Sequence, residues 1–188
     1  MALERLKGLK HTVMLLSGGS RLVLLKTLIL TVVALGTGTV LIPYLLLSSQ
    51  FTSLSLQIGV FRYFGVLPIL LGASIYLWCA LDFTFAGKGT PAPIDPPKEL
   101  VTQGLYRYVR NPMYLGVIIL LFGEALLLES CVLFAYTVVV FLSFYLFVVL
   151  YEEPVLKRKF GESYQRYCEL VPRWLPFRIQ DKDKSGSV

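Results

Sequence analysis

Two adjacent carboxylates, Glu152 and Glu153, follow directly on a long apolar run. Two more acids, Asp82 and Glu124, stand in or beside apolar runs, and an ionisable group at membrane depth is costly enough to suggest a function. Read on its own, Glu152–Glu153 is either a solvated pair complementing the N-terminal dipole of a following helix or a carboxylate site for a cationic or hydroxyl-bearing ligand. A second constellation is the stretch 98–116, where Arg107 and Arg110 stand among Tyr106, Tyr108 and Tyr114. Gly104 permits a turn there. Pro112 suits the first turn of a helix with Asn111 as its N-cap, and such an N-terminus offers backbone donors to an anion. The same residues would also serve as an ordinary interfacial anchor. A third stretch, 160–177, is punctuated by Gly161, Pro172 and Pro176. It either anchors the C-terminal segment or closes a lid over a site.

Other chemistries find few residues to use. Cys79, Cys131 and Cys168 lie far apart with no CxxC pair, so they read as isolated thiols in apolar surroundings. The single histidine, His11, excludes a histidine-based triad and a multi-histidine metal site. The net charge of +6 comes from 18 basic and 12 acidic residues. Because the basic residues flank apolar runs, they point to a membrane rather than to nucleic acid.

The elements that would position these groups follow from composition. Hydrophobic residues make up 55% of the 188 and charged residues 16%, well below the ~25% charged of a soluble domain. Lipid is the natural solvent. Residues 1–21 read as an interfacial segment rather than a cleaved signal. Long apolar runs cover 22–48, with Lys26 able to snorkel, and 61–86; two more cover 114–130 and 131–150, separated only by Glu129–Ser130 as a tight hairpin. Each approaches the ~20 residues a span requires. The expected fold is therefore all-α with four transmembrane helices. Residues 49–60 form a connector. Residues 87–113 form a long polar loop with four prolines between positions 91 and 97. Residues 152–171 form an amphipathic helix, and the end is a polar tail. This divides the chain into 1–86, a functional half at 87–177, and 178–188. With four spans, seventeen Lys and Arg residues fall on one side and one on the other, which puts both termini in the cytoplasm.

Taken in order, the motifs resemble a known family. Leu100-Val101 precedes Gly104 and Tyr106, and Arg110-Asn111-Pro112 precedes Tyr114 and Gly116. After a hairpin come Glu152-Glu153, Phe160-Gly161 with Tyr164 and Tyr167, and Val171-Pro172. This series, over roughly 90–177, resembles the isoprenylcysteine carboxyl methyltransferases and the related membrane phospholipid methyltransferases. The resemblance implies a membrane enzyme using S-adenosylmethionine, bound at the cytoplasmic face by Lys98, Leu100, Val101, Tyr106, Arg110, Asn111, Pro112, Met113 and Glu152, with Glu153 as a possible addition. It implies a lipophilic acceptor, such as a prenyl-cysteine carboxylate, entering from the bilayer. Three positions depart from the pattern. Asn111 stands for a histidine and keeps hydrogen bonding but not proton acceptance. Lys98 also stands for a histidine, and Val148 stands where the isoprenylcysteine enzymes often carry an arginine.

Methyl transfer from a sulfonium is an in-line displacement in which the protein binds and orients. A carboxylate or thiolate acceptor needs no protein base. An amine acceptor does, and Glu153 or Asp82 would supply it. Alternatives are a phospholipid amine methyltransferase, a nicotinamide-dependent membrane reductase, a four-span transporter and a structural membrane subunit.

Overall fold

The structure is a computed structural model that describes residues 29, 32–33, 35–48, 55–85 and 100–175. The expected interfacial segment, His11, Lys26, the proline-rich part of the loop with Lys98, and the tail lie outside these residues. The fold is all-helical. Helix α1 covers Gly36–Ser48 and opens as a π-helical stretch. A 3-10 stretch, Gly59–Gly65, leads into α2, Val66–Phe85. Then come α3, Pro112–Leu127, and α4, Cys131–Phe147. A π-helical turn, Val148–Glu152, joins α4 to α5, Glu153–Phe160, and α6, Glu162–Leu170, follows.

Two helical segments, Gly59–Asp82 and Cys131–Phe160, are long and apolar enough to cross a membrane. The expected third span is shorter. Helix α3 has 16 residues, about 24 Å of rise against a ~30 Å hydrocarbon core. Pro112 fixes its start, and the turn 128–130 stops it. Only the part of the first expected span from Ile29 onward falls among described residues, and α1 is likewise short. The lipid-facing sides are plain: Leu67, Leu70, Leu77, Val138, Val139 and Leu146 are all more than half exposed. A soluble chain would hide so large an apolar surface. Several serine and threonine hydroxyls on these helices are satisfied within their own helix. Ser74, Thr137 and Ser143 each donate to the carbonyl four residues back, as an apolar solvent requires.

Helices α2 and α3 pack backbone to backbone. Gly65 opposes Gly123, and Gly72 opposes Gly116. A Cβ on Gly123 would stand 2.6 Å from the Gly65 carbonyl oxygen, and one on Gly72 would strike the Gly116 carbonyl. The pairs recur seven residues apart in opposite directions, so the helices run antiparallel along one glycine seam.

The expected hairpin between α3 and α4 is present. Glu129 turns it with a φ of 52°, and Ser130 caps α4 by accepting from the Leu133 amide at 3.3 Å. Glu129 is also an anchor. Its carbonyl accepts from the Leu56 amide at 2.7 Å and its carboxylate from the Gly59 amide at 2.8 Å, pinning the turn to the connector.

The amphipathic stretch differs from the single helix expected. It continues α4 without a break and then divides at Gly161, whose φ of 54° reverses the chain in a conformation that favours glycine. The π-helical turn before Pro154 absorbs the hydrogen bond that proline cannot make.

Candidate active site

Val171-Pro172-Arg173-Trp174-Leu175 folds back as a strap between the start of α3 and the side of α4. The Arg110 amide donates to the Pro172 carbonyl at 2.9 Å, and the Asn111 side-chain amide donates to the Arg173 carbonyl at 3.3 Å. The Arg173 guanidinium lies 5.9 Å from the centre of the Tyr145 ring, and Trp174 lies 5.4 Å from Phe141. Asn111 occupies the N-cap position as expected, but its side chain makes no cap. The strap takes its hydrogen bond and leaves the first turn of α3 without a side-chain cap.

Glu153 is the centre of the charged cluster. Arg173 grips it through Nε at 2.8 Å and Nη2 at 2.9 Å, and Arg110 Nη1 stands 3.1 Å away. This bidentate grip, aided by the electrostatic attraction, pushes the Arg173 guanidinium above its ordinary pKa despite partial burial. Arg110 Nη1 also donates to Cys168 Sγ at 2.8 Å. Cys168 is therefore not an isolated apolar thiol. Cys79, by contrast, is fully buried in the apolar core beside Val101 and Tyr106, as expected. Glu152 points the other way, and its Oε2 accepts from the Tyr114 hydroxyl at 2.9 Å. The adjacent acids are thus not a solvated pair: helical spacing turns one into the cluster and the other toward the bundle.

Beneath the cluster, Val101 and Tyr106 are buried with Cys79, and Met113 packs against them. Leu100 packs on Tyr164, Tyr167 and Val171. The Tyr167 hydroxyl donates to the Tyr106 carbonyl at 2.7 Å and ties the two groups together. Burial, reinforced by nearby Cys79 and Glu152, holds the Tyr106 phenol well above its ordinary pKa. Burial raises Tyr167 too, against an opposing effect of Arg110. Tyr106 is a core residue rather than an interfacial aromatic, whereas Tyr108 remains 61% exposed.

Of the residues singled out in the sequence, Arg110, Asn111, Pro112, Glu152 and Glu153 meet at one end of the bundle. Asp82 stands against Gly104, and its Oδ2 is buried without a hydrogen-bond partner. Val148 is 1% exposed, leaving an arginine no room there. Arg173, Tyr114, Cys168 and Trp174 were not among the site residues expected. Arg173 sits directly after the Val-Pro motif, but nothing in its spacing indicates that it reaches Glu153.

The cluster suits a ligand carrying a carboxylate, an ammonium and hydroxyls. Arg110 Nε and Trp174 Nε1 are buried donors without partners. Glu152 spends one oxygen on Tyr114, and a carboxylate accepts several donors. Leu100 and Val101 offer apolar walls. Tyr114 also borders a cavity of about 810 Å³ that continues into the bundle between α1, α3 and α4, lined by Tyr76, Val117, Leu121, Tyr136, Val140 and Phe147 among others. Among the described residues no group of three or more His, Cys, Asp or Glu could hold a metal.

Fold and site together define a helical membrane protein with a charged pocket at one end of an apolar cavity. Residues 60–163 match the family model described as phospholipid methyltransferase, and the chain belongs to that family. It is 33% identical over 119 residues to protein-S-isoprenylcysteine O-methyltransferase B of Arabidopsis thaliana, covering 61% of this chain and 58% of that protein. It is 38% identical over 77 residues to protein-S-isoprenylcysteine O-methyltransferase of Schizosaccharomyces pombe, covering 41% and 33% respectively. It is 32% identical over 83 residues to methanethiol S-methyltransferase 1 of Bradyrhizobium diazoefficiens, covering 44% and 28%. The chain thus spans little more than half of the first relative and about a third or less of the other two.

Proposed function

We propose that this chain is an S-adenosylmethionine-dependent methyltransferase whose acceptor is lipophilic and anionic, of the isoprenylcysteine-carboxylate kind. The observation that carries this reading is the Tyr114–Glu152 hydrogen bond, made where the polar cluster meets the apolar cavity. A methyl donor held by the cluster and an acceptor held by the cavity would meet at that junction.

The bound cofactor would supply the electrophilic methyl group on its sulfonium. Arg110 and the uncapped first turn of α3 would hold its carboxylate. Glu152 would accept from its ammonium or ribose hydroxyls, and Tyr114 would keep Glu152 oriented. Leu100, Val101 and Met113 would shape the wall, with Tyr106 beneath and Lys98 as a further contact. Both Glu153 oxygens are engaged by guanidinium groups, so neither stands free to reach a proton on an acceptor. That favours an acceptor that reacts as an anion and needs no base, such as a carboxylate or thiolate. An amine acceptor would instead require Asp82 or Glu153 to take a proton. Residues 87–177 would carry the chemistry on the cytoplasmic face, as the lysine and arginine distribution supports.

Calorimetric titration of the detergent-purified protein tests this reading, with S-adenosylhomocysteine as ligand and NADPH as control. Saturable binding of the first, lost in Glu152→Ala while thermal unfolding stays cooperative, is expected. Binding of NADPH alone would move the chain to the reductases, and wild-type affinity in Glu152→Ala would remove Glu152 from the cofactor site.

A further inference from the structure

On the α3 and α4 walls the cavity has a definite far end. Its lining on α3 runs from Met113 and Tyr114 through Val117 and stops at Leu121. On α4, which runs the opposite way, the lining begins at Tyr136 and continues through Val140 to Phe147. On α3 and α4 the lining ends at Leu121 and Tyr136, where the Tyr136 hydroxyl donates to the Gly38 carbonyl at 2.8 Å and joins α4 to α1, while on α1 the lining runs through Gly38 to Ile42. Tyr136 thereby spends its polar group on the wall and turns its ring to the cavity. Beyond this limit stands Glu124, whose Oε2 is buried without a hydrogen-bond partner and which is an electrostatic neighbour of Tyr136. A hydrocarbon chain pushed past Tyr136 would have to displace its ring and would approach the Glu124 carboxyl.

From this geometry we infer that Tyr136, locked to Gly38 and backed by Glu124, sets the maximum length of the acceptor's hydrocarbon chain. The eleven residue steps from Tyr136 to Phe147 span about 16 Å of helix. A saturated backbone advances ~1.2 Å per bond, as follows from the 3.3–3.6 Å per three-bond residue of an extended peptide, so the cavity accommodates about a dozen bonds. Chains shorter than this gain from each added methylene. Longer ones gain nothing, or lose by burying apolar atoms against Glu124. This limit deepens the lipophilic-acceptor reading above and rests on it, but it is read by binding alone.

The test uses N-acetyl-S-alkylcysteines from hexyl to eicosyl as competitors of a fluorescent fatty-acyl probe on the purified protein. Methyl transfer to the same compounds from labelled S-adenosylmethionine is measured in parallel. Affinity is expected to rise by up to about fourfold per methylene and to break between dodecyl and tetradecyl. In Tyr136→Ala the break moves to longer chains. In Tyr136→Phe, which keeps the ring, it stays. Retained S-adenosylhomocysteine binding serves as the folding control for both variants. A steady rise through eicosyl, or a break unmoved in folded Tyr136→Ala, overturns the inference. A break that moves as expected, with no methyl transfer to any compound, supports the length limit and removes the anionic-acceptor activity instead.

Discussion

At the scale of single residues, the instructive contrast is between Glu152 and Glu153. The sequence presents them as equivalent neighbours. The fold gives Glu153 two guanidinium partners and Glu152 one phenol. Glu153 is therefore expected to hold the strap. Glu153→Gln leaves Arg110 and Arg173 half-buried without their anion, which should cost about 2–3 kcal/mol. The strap 171–175 should then become sensitive to limited proteolysis, a change read by mass spectrometry of the cleavage products. An unchanged cleavage pattern and unfolding temperature would show that the strap is held by its backbone hydrogen bonds and aromatic contacts instead. That acids and arginines here form a site was legible in their order along the chain. Which arginine meets which acid was not, because Arg173 and Glu153 are brought together only by the reversal of the chain at Gly161 and the folding-back of the strap.

At the scale of elements, the hairpin, the start of α3 at Pro112 and the continuous apolar character of α2 and α4 follow from local rules. The close approach of α2 and α3 does not. Glycines at 65, 72, 116 and 123 are visible in the sequence, but a seam exists only once two helices choose each other. Gly72→Ala should be strongly felt, since the new Cβ would meet the Gly116 carbonyl and would stand 2.6 Å from the Leu120 amide nitrogen. A loss of about 1–3 kcal/mol is expected from forcing the backbones apart. Gly36→Ala, where nothing lies within 4 Å, should be neutral or mildly stabilising in a helix. Thermal unfolding of both variants in detergent checks the pair. Equal effects would mean that the seam contributes no more than ordinary helix propensity. The division of the amphipathic stretch at Gly161 belongs to this scale too: hydrophobic periodicity shows that residues 152–171 favour a helix, but it is blind to a single residue adopting a positive φ.

At the scale of the whole molecule, buried phenols connect the loop after α2 to the C-terminal helices, and they set an alkaline limit. Tyr106 and Tyr167 have an ordinary value of 10.0 and are both raised by burial in the folded protein. Above pH ~10 the unfolded chain binds fewer protons than the folded one, so stability is complete below that pH and falls as pH rises through it toward the folded-state values. The expected slope is about 1.4 kcal/mol per pH unit for each such tyrosine. Unfolding temperatures measured from mildly basic to strongly alkaline pH should show this decline, and Tyr167→Phe should make it shallower; a flat profile would place the phenols in contact with water. The sequence by itself determined that the protein is helical and membrane-bound, where its hairpin turns, and which stretches carry polar chemistry, because hydropathy and the backbone limits of proline and glycine act locally. Tertiary structure alone decided that Glu152 and Glu153 face different partners, that Arg173 completes the cluster, and that an apolar cavity opens between α1, α3 and α4. Each of these depends on contacts between residues distant in sequence, whose pairing is set by how the helices pack and not by any one segment's own preference.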